Sequence, residues 1–170
     1  MMPFDVPAFG TWLHYAAAHG TLEIAKLIVE LGLDVNAVEP ADGLRPLKNA
    51  AYEDKPDIAR YLLDQGAVMD VSASIRNPLF GAIVGHSPAV AKLLLERGID
   101  SKVRYNSPTM KNMDAVAFAM MQGEHEIAHM IALWNAKGDE RAARRAMEEG
   151  QRIAYENTVP VDPDEDYADS

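Results

Sequence analysis

Residues 11–24 read TWLHYAAAHGTLEI, and residues 32–37 read GLDVNA. The first stretch opens on Thr11, which can cap a helix, and continues through small alanines to Gly20 and a second capping residue, Thr21. Apolar residues at helical spacing then lead to Gly32, a residue type that enters the left-handed helix-terminating conformation at low cost. The two stretches together predict a pair of short helices followed by a turn.

This pattern recurs three more times along the chain, at successive offsets of 34, 32 and 37 residues. The positions that keep these offsets are Leu13, Leu47, Leu79 and Val116; Ile24, Ile58, Val90 and Ile127; and the apolar triples that begin at Leu27, Tyr61, Leu93 and Met130. Gly32, Gly66 and Gly98 keep them too, followed by Asn135, which is also predicted to terminate a helix. Unequal offsets shared by independent positions indicate an internal repeat.

Each unit is predicted to contain two helices that stack on those of the next unit. The first helix opens at Thr11, Arg45, Asn77 or Asp114, and the second begins near Thr21, Pro56, Pro88 or Glu124. The stretches between units, 35–43, 68–76 and 99–112, contain turn-forming residues and are predicted to form short hairpins. No unit can bury its apolar face alone, so the units must stack.

The quoted residues resemble the ankyrin repeat almost position for position. The resemblance covers about residues 8–136 and implies an all-α solenoid of four repeats, within residues 1–136, at 8–40, 41–73, 74–105 and 106–136. Only His14 keeps the histidine of the family's Thr-Pro-Leu-His box, where it is expected to bond backbone. Lys48 and Phe80 depart from the box at the matching places of the second and third repeats, so the family's side-chain tie between loops is not expected there.

The C-terminal part of the chain is predicted to differ from the repeats. Residues 139–157 have apolar positions on one helical face and four arginines on the other, which is typical of a helix that caps the open end of a solenoid. Residues 137–157 are therefore predicted to form a capping helix and 158–170 an acidic tail. From Glu156 onward the chain has six acidic and no basic residues, and the prolines Pro160 and Pro163 disfavour a helix, so this end is predicted to be disordered or loosely docked.

Composition excludes several classes of function. The 170 residues carry 16 Lys and Arg against 26 Asp and Glu, a formal net charge of −10, which disfavours binding to nucleic acid phosphates. The chain has no cysteine, so thiolate metal sites and cysteine nucleophiles are ruled out. No apolar run is long enough for a membrane span, and the first residues lack a secretory signal, so the protein is expected in the cytoplasm as a monomer.

One motif offers a catalytic alternative. His125-Glu126-Ile127-Ala128-His129 matches H-E-x-x-H, which on a helix places two imidazoles and a general base together for zinc hydrolysis, with Glu148 or Glu149 as a third ligand. In the repeat register, however, Glu126 and Ile127 hold the ordinary start of a second helix. The motif is therefore interpreted as part of the repeat, with no metal, no cofactor and no catalysis, and a zinc hydrolase remains the remote alternative.

The resemblance also indicates where a partner would bind. Ankyrin proteins use their hairpin tips and the exposed side of the first helix of each repeat, which form the concave face. Here those places are His19, Asp42, Leu44, Tyr52, Glu53, Arg76, Val84, Met113, Met121 and Gln122. Tyr52 is the preferred anchor because amphipathic aromatic residues dominate interface energetics; the alternative is that it packs on the loop of the next repeat. Met113 and Met121 are predicted to face outward, where flexible methionines suit adaptable binding.

The resulting hypothesis is a non-catalytic module that binds another protein through this face. Small free-standing ankyrin proteins resemble inhibitors or immunity proteins, frequently bacterial, that block a cognate toxin or enzyme. A basic target would suit the acidic charge of the chain, because opposite fields speed encounter. The alternative is an adaptor or scaffold that holds an enzyme without inhibiting it.

Overall fold

The computed structural model describes residues 11–158 of the chain. The helices are arranged as four consecutive pairs followed by one long helix. The first helix of each pair is α1 (Trp12–His19), α3 (Pro46–Tyr52), α5 (Pro78–Val84) or α7 (Ala115–Met121), and the second is α2 (Leu22–Glu30), α4 (Pro56–Asp64), α6 (Pro88–Glu96) or α8 (His125–Asn135). The strands β1 (Tyr105–Ser107) and β2 (Met110–Met113) precede α7, and α9 (Glu140–Thr158) follows α8.

The four pairs stack in two layers. The first helices contact one another in chain order as an inner layer, and the second helices form an outer layer in the same order. Of the positions that keep the repeat offsets, those on the inner helices are buried, with Leu13, Leu47 and Leu79 at most 1% exposed and Val116 5%. On the outer helices Ile58, Val90 and Ile127 are buried, whereas Ile24 is 47% exposed. Buried alanines on the inner helices, such as Ala17 and Ala50, allow close approach of neighbouring backbones.

The predicted starts of the inner helices are confirmed. Thr11, Arg45, Asn77 and Asp114 are the four N-cap residues. The Asn77 Oδ1 atom accepts a hydrogen bond from the backbone N–H of Leu79 at 2.8 Å, and Asp114 Oδ1 accepts one from Ala117 at 3.0 Å. These caps satisfy backbone donors that a helix start otherwise leaves without partners.

The ends of the outer helices agree with the prediction in three cases and correct it in the fourth. Gly32, Gly66 and Gly98 have φ angles of 89°, 86° and 83°, in the left-handed region. Asn135 was expected to do the same, but it is the last residue of α8, and the left-handed residues are Lys137 and Gly138. The prediction for Asn135 is wrong because the glycine that terminates this longer, 11-residue helix comes three positions later.

Of the three predicted hairpins, only the last contains paired strands within residues 11–158. Tyr105 of β1 pairs with Met113 of β2 in an antiparallel ladder. Residues 35–43 and 68–76 contain turns without strands. In the first of these, the N–H of Glu39 donates to the carbonyl of Leu44 and the N–H of Gly43 to that of Glu39, which closes a compact turn. The third connection, residues 99–112, is longer than the other two and can therefore form two hydrogen-bonded strands.

Helix α9 packs across α7 and α8 at the end of the stack. Its N-terminus is capped by the Asp139 carboxylate, which accepts from the N–H groups of Arg141 and Ala142 at 2.9 and 3.1 Å. Ala143, Ile153 and Ala154 are buried against the stack, whereas Arg141, Arg144, Arg145 and Arg152 are exposed as predicted. The helix continues to Thr158, so residues 156–158 are helical, contrary to the tail prediction; the rest of that prediction falls outside the described residues.

In the described part of the chain, none of the helices has both the length and the apolar character needed to cross a membrane.

Candidate protein-binding site

The loops that border the inner layer are tied to one another by side chains. His14, fully buried, accepts a hydrogen bond at Nδ1 from the backbone N–H of Thr11 at 3.1 Å. Its Nε2 lies 3.0 Å from the carbonyl oxygen of Leu44, to which it donates. Because Nδ1 accepts, the proton sits on Nε2, and one neutral imidazole joins the start of α1 to the loop before α3. His14 therefore makes the predicted hydrogen bond to backbone within its own unit and a second one to the backbone of the neighbouring unit.

Different residues make the loop ties where the histidine is absent. Arg45 donates from Nη1 to the carbonyl of Asn36 at 2.5 Å, and its Nε lies 3.8 Å from Asp70. Arg76 Nε lies at the same distance from Asp70. Hydrogen bonds from Ser72, followed by the two arginines, hold the pKa of Asp70 below its ordinary value, against the opposing effect of partial burial. This carboxylate thus joins two loops in its ionised form.

The third tie uses a tyrosine from the hairpin. The Tyr105 hydroxyl donates to the carbonyl of Val71 at 2.8 Å and accepts from Asn77 Nδ2 at 2.9 Å. Burial is the main cause that raises the pKa of Tyr105 above its ordinary value. Only the first box keeps its histidine, and in the later repeats other side chains tie the described loops along the stack.

Between these loops and the inner helices lies a groove of about 500 Å³, here called the inner groove. Five of the predicted partner-binding residues line it: His19, Leu44, Tyr52, Glu53 and Val84. Tyr52 is 50% exposed, and Ser74 and Ile75 of the next loop line the same groove. The lining is completed by residues that were not predicted to belong to the site: Ala18, Lys48, Asn49, Ser74, Ile75, Phe80, Met110 and Phe118.

Aromatic rings form one wall of the inner groove. Phe80 and Phe118 stack with ring centroids 4.3 Å apart and an interplanar angle of 7°. Tyr105 meets Phe80 edge to face, with centroids 5.1 Å apart. Phe80 and Phe118 are only 2% and 8% exposed, so their rings form the fixed, buried backing of the groove, and Ile75, 54% exposed, supplies accessible apolar surface in its lining. In the sequence Phe80 is distinguished only as a departure from the histidine box, and its register position, shared with His14, Lys48 and Ala117, gives no signal for an aromatic wall.

Lys48 projects into the same groove. Its Nζ lies 5.8 Å from the centre of the Tyr52 ring, and a Cβ atom placed on Gly81 would lie 2.9 Å from both its Cδ and its Nζ. Among residues 11–158, no carboxylate lies within 4.0 Å of this ammonium. Burial lowers the pKa of Lys48 from 10.5 to about 8, because the apolar surroundings disfavour the charged form.

The other predicted site residues lie outside the inner groove. Asp42 is exposed on a loop, Arg76 is held by Asp70, Gln122 is exposed at the end of α7, and Met121 is half-buried beside the core. The prediction that Met113 faces outward is wrong, since its side chain is fully buried. Met113 ends β2 opposite Tyr105, and this strand register turns its side chain into the core.

The H-E-x-x-H motif lies on the exposed side of α8. The His129 Nε2 atom is 3.3 Å from Glu140 Oε2 on α9, and the candidate third ligand Glu149 instead pairs with Arg104 at 3.4 Å. Across residues 11–158, no three side chains of histidine, aspartate or glutamate are grouped as a metal site requires. The motif here supplies a contact between α8 and the capping helix.

A second depression, of about 780 Å³, lies on the outer layer between α6 and α8. Its exposed aromatic residue is Trp134, 49% exposed, with Lys92, Lys102 and Lys137 around it. It is larger than the inner groove, but no aromatic wall like that of Phe80 and Phe118 borders it. The inner groove is therefore the stronger candidate for specific binding.

Stacked helix pairs with a side-chain-lined inner groove define a solenoid repeat module. The sequence profile of ankyrin repeats matches residues 13–105 in three copies, more than half of the chain. The chain therefore belongs to the ankyrin repeat family, whose members are modules for protein–protein interaction, and the predicted all-α ankyrin solenoid is confirmed.

The chain is similar to several curated proteins over part of their length. The chain is 38% identical over 71 residues to protein phosphatase 1 regulatory subunit 12A of Mus musculus, covering 42% of this chain and 7% of that protein. It is 43% identical over 60 residues to protein phosphatase 1 regulatory subunit 27 of Homo sapiens, covering 35% and 38%. It is 34% identical over 107 residues to zygote-specific protein 3 of Chlamydomonas reinhardtii, covering 63% and 27%. The chain thus spans less than half the length of each of these relatives.

Proposed function

We propose that the chain binds a partner protein through the inner groove. The observation that carries this proposal is the groove itself: a fixed aromatic wall of Phe80 and Phe118 faces a half-exposed Tyr52 beside an ammonium group. Apolar surface with a few polar groups at defined positions is the composition of specific binding sites, and exposed tyrosines are common anchors of interfaces.

We further propose that binding inhibits the partner, as an immunity protein or enzyme inhibitor does, and that the partner is basic. Support comes from the net charge of −10 of the chain, in which six of the acidic residues lie beyond residue 155. A field of this sign accelerates encounter with a basic protein, whether a toxin or an enzyme, and the acceleration falls as salt is added.

A second candidate is favoured by the relatives. Two of them are named as regulatory subunits of protein phosphatase 1. A regulatory or adaptor role for this chain would use the same groove but leave the active site of the bound enzyme open. Both candidate functions therefore use the same binding surface, and they differ in whether the bound enzyme remains active.

The test is affinity capture from lysate of the source cell at low and moderate salt, with wild type, Tyr52→Ala and Trp134→Ala as baits. Trp134 is the matched control, because it is an aromatic residue of the same exposure on the outer layer. We expect one partner to be retained by wild type and by Trp134→Ala and lost by Tyr52→Ala. A partner lost only by Trp134→Ala would contradict the use of the inner groove.

The activity of that partner then separates the two candidates. Addition of the wild-type chain in excess should abolish the activity of an inhibited enzyme, and Tyr52→Ala should restore it. Activity that is unchanged or redirected in the complex would reject inhibition and support the regulatory role. Capture that is insensitive to salt would reject a basic partner.

A further inference from the structure

The positive charge of Lys48 is poorly compensated by the groups around it. Its ammonium lies against the backbone of α5 at Gly81 and above the Tyr52 ring, and no carboxylate of residues 11–158 is within 4.0 Å of it. The nearby acid of the groove lining, Glu53, is exposed and forms no ion pair with it. A charge taken out of water without a partner is costly, so the groove holds this ammonium at the expense of stability.

Gly81 makes the position of Lys48 possible. In the register of the four helix pairs, the place of Gly81 is taken by Tyr15, Asn49 and Phe118. Any side chain at position 81 would overlap the end of Lys48, since even a Cβ atom would lie 2.9 Å from its Nζ. A glycine inside a helix is itself destabilising by roughly 0.5–1 kcal/mol relative to alanine. A poorly compensated charge at Lys48 and a helical glycine at position 81, each unfavourable for stability, thus combine to place one ammonium group in an apolar groove.

We propose that Lys48 is the specificity-determining residue of the inner groove and that the partner segment bound there presents an aspartate or glutamate side chain next to an apolar one. The carboxylate would accept hydrogen bonds from Nζ, and the apolar neighbour would pack on the accessible apolar lining at Ile75, 54% exposed, and Met110. Charge complementarity selects this occupant, because a lone desolvated cation favours an anionic group over any neutral one. This inference rests on the proposed use of the groove and deepens it.

A single carboxylate in the docked segment is compatible with a basic partner. The long-range attraction depends on the net charge of the two proteins, whereas the contact at Lys48 depends on one side chain within reach of Nζ. The proposal therefore predicts the local sequence of the segment and leaves the charge of the rest of the partner open.

The test uses the full chain and a phage-displayed library of random 12-residue peptides as the probe. Peptides selected on the wild type are synthesised in two forms, one with the selected acid and one with the matching amide, Glu→Gln or Asp→Asn. Their dissociation constants are measured against wild type, Lys48→Met, Tyr52→Ala and Lys26→Met. Lys26→Met is the matched control, because Lys26 Nζ lies 5.9 Å from the Tyr61 ring, a similar arrangement on the outer helices. Circular dichroism and an NMR fingerprint show that each variant is folded.

We expect the selected peptides to share an acidic residue beside an apolar one, and Lys48→Met to weaken their binding by about tenfold or more, as loss of a charge-assisted hydrogen bond does. The amide peptide should bind wild type as weakly as the acid peptide binds Lys48→Met, and combining the two changes should add little. Lys26→Met should bind like wild type. Peptides that need Tyr52 but tolerate Lys48→Met or the amide would overturn this proposal and leave the proposed function standing. Failure to select any peptide sensitive to Tyr52→Ala would overturn both.

Discussion

His14 makes the first tie between loops through both of its ring nitrogens. Nδ1 accepts a hydrogen bond from the N–H of Thr11, and Nε2 donates one to the carbonyl of Leu44. Replacement by alanine would leave the partly buried N–H of Thr11 and carbonyl of Leu44 without these partners and would open a cavity at the buried His14 side chain. We expect His14→Ala to lower the free energy of unfolding by about 2–3 kcal/mol, in the range for buried polar groups that lose their partners. Urea denaturation measures this change. His125→Ala, at an exposed position, is the control and should stay within about 0.5 kcal/mol of wild type; an equally small effect of His14→Ala would show that the tie is unimportant.

Lys48 gives the stability of the protein a pH dependence of known sign. Its pKa is about 8 in the folded chain and 10.5 ordinarily, so between these values the unfolded chain binds more protons than the folded one. The contribution of Lys48 to the free energy of unfolding therefore increases from about pH 8 to 10.5, as the penalty for the buried charge is relieved.

Lys48→Met should be more stable than wild type at pH 7, and the difference should shrink as the pH rises to 10. Urea denaturation at several pH values measures it. The other titratable groups of the groove lining, His19, Tyr52 and Glu53, are the same in both proteins, so their contributions cancel in the comparison. A difference that stays constant from pH 7 to 10 would contradict the burial of this charge.

At the residue scale, sequence reasoning succeeded where a position repeats and failed where a side chain depends on its neighbours. The N-cap residues and the buried leucines follow from local patterns, so they were predicted. Met113 was misplaced because the strand register that turns it inward involves a pairing with Tyr105. The role of Lys48 depends on the absence of a side chain at Gly81, 33 residues away, which no local pattern reports.

The capping helix shows how one element stabilises the end of the stack. Ile153 on α9 is 3% exposed, and Gly150 approaches α7 so closely that a Cβ atom would lie 3.0 Å from Val116 Cγ1. We expect Ile153→Ala to cost about 2–4 kcal/mol of unfolding free energy, as is usual when a buried isoleucine is truncated.

The control for this prediction is Tyr155→Ala, two residues along the same helix, where the side chain is 65% exposed. It should change the unfolding free energy by no more than about 0.5 kcal/mol. Chemical denaturation monitored by circular dichroism measures both variants. Equal effects of the two would mean that α9 contributes through its helicity and not through its packing on α7 and α8.

The boundaries of elements were predicted with uneven success for a physical reason. Proline and glycine fix backbone angles locally, so Pro46, Pro78 and Gly98 marked helix ends correctly. Asn135 enters the left-handed region only when its surroundings favour it, and here it stays helical while its Oδ1 accepts a hydrogen bond from Ser101 at 2.6 Å. The hairpin predictions failed in the shorter connections, where turn residues form loops without strand pairing.

Over the whole molecule, burial is uneven between the two ends of the stack. Helix α2 has a single fully buried residue, Ala25; its Ile24 and Leu27 are 47% and 55% exposed, and the residue after it, Leu31, is 71% exposed. Helix α6, in the middle of the outer layer, has five buried residues, and α8 is covered by α9. In a solenoid each unit is stabilised by its neighbours, and within residues 11–158 the pair α1 and α2 has a neighbouring pair on one side only, so it is expected to open more readily than a pair held on both sides.

This asymmetry predicts the order of local unfolding. Under native conditions the backbone amides of α1 and α2 should exchange with solvent deuterium at least about tenfold faster than those of α5 and α6, which corresponds to an opening free energy lower by about 1.4 kcal/mol. Hydrogen exchange followed by NMR or mass spectrometry measures the gradient. Ile153→Ala should extend fast exchange to α7 and α8 and leave α1 and α2 unchanged, because the effect passes between adjacent units. Uniform exchange along the chain, or a loss of protection in α2 on changing Ile153, would show instead that the stack unfolds as one cooperative unit.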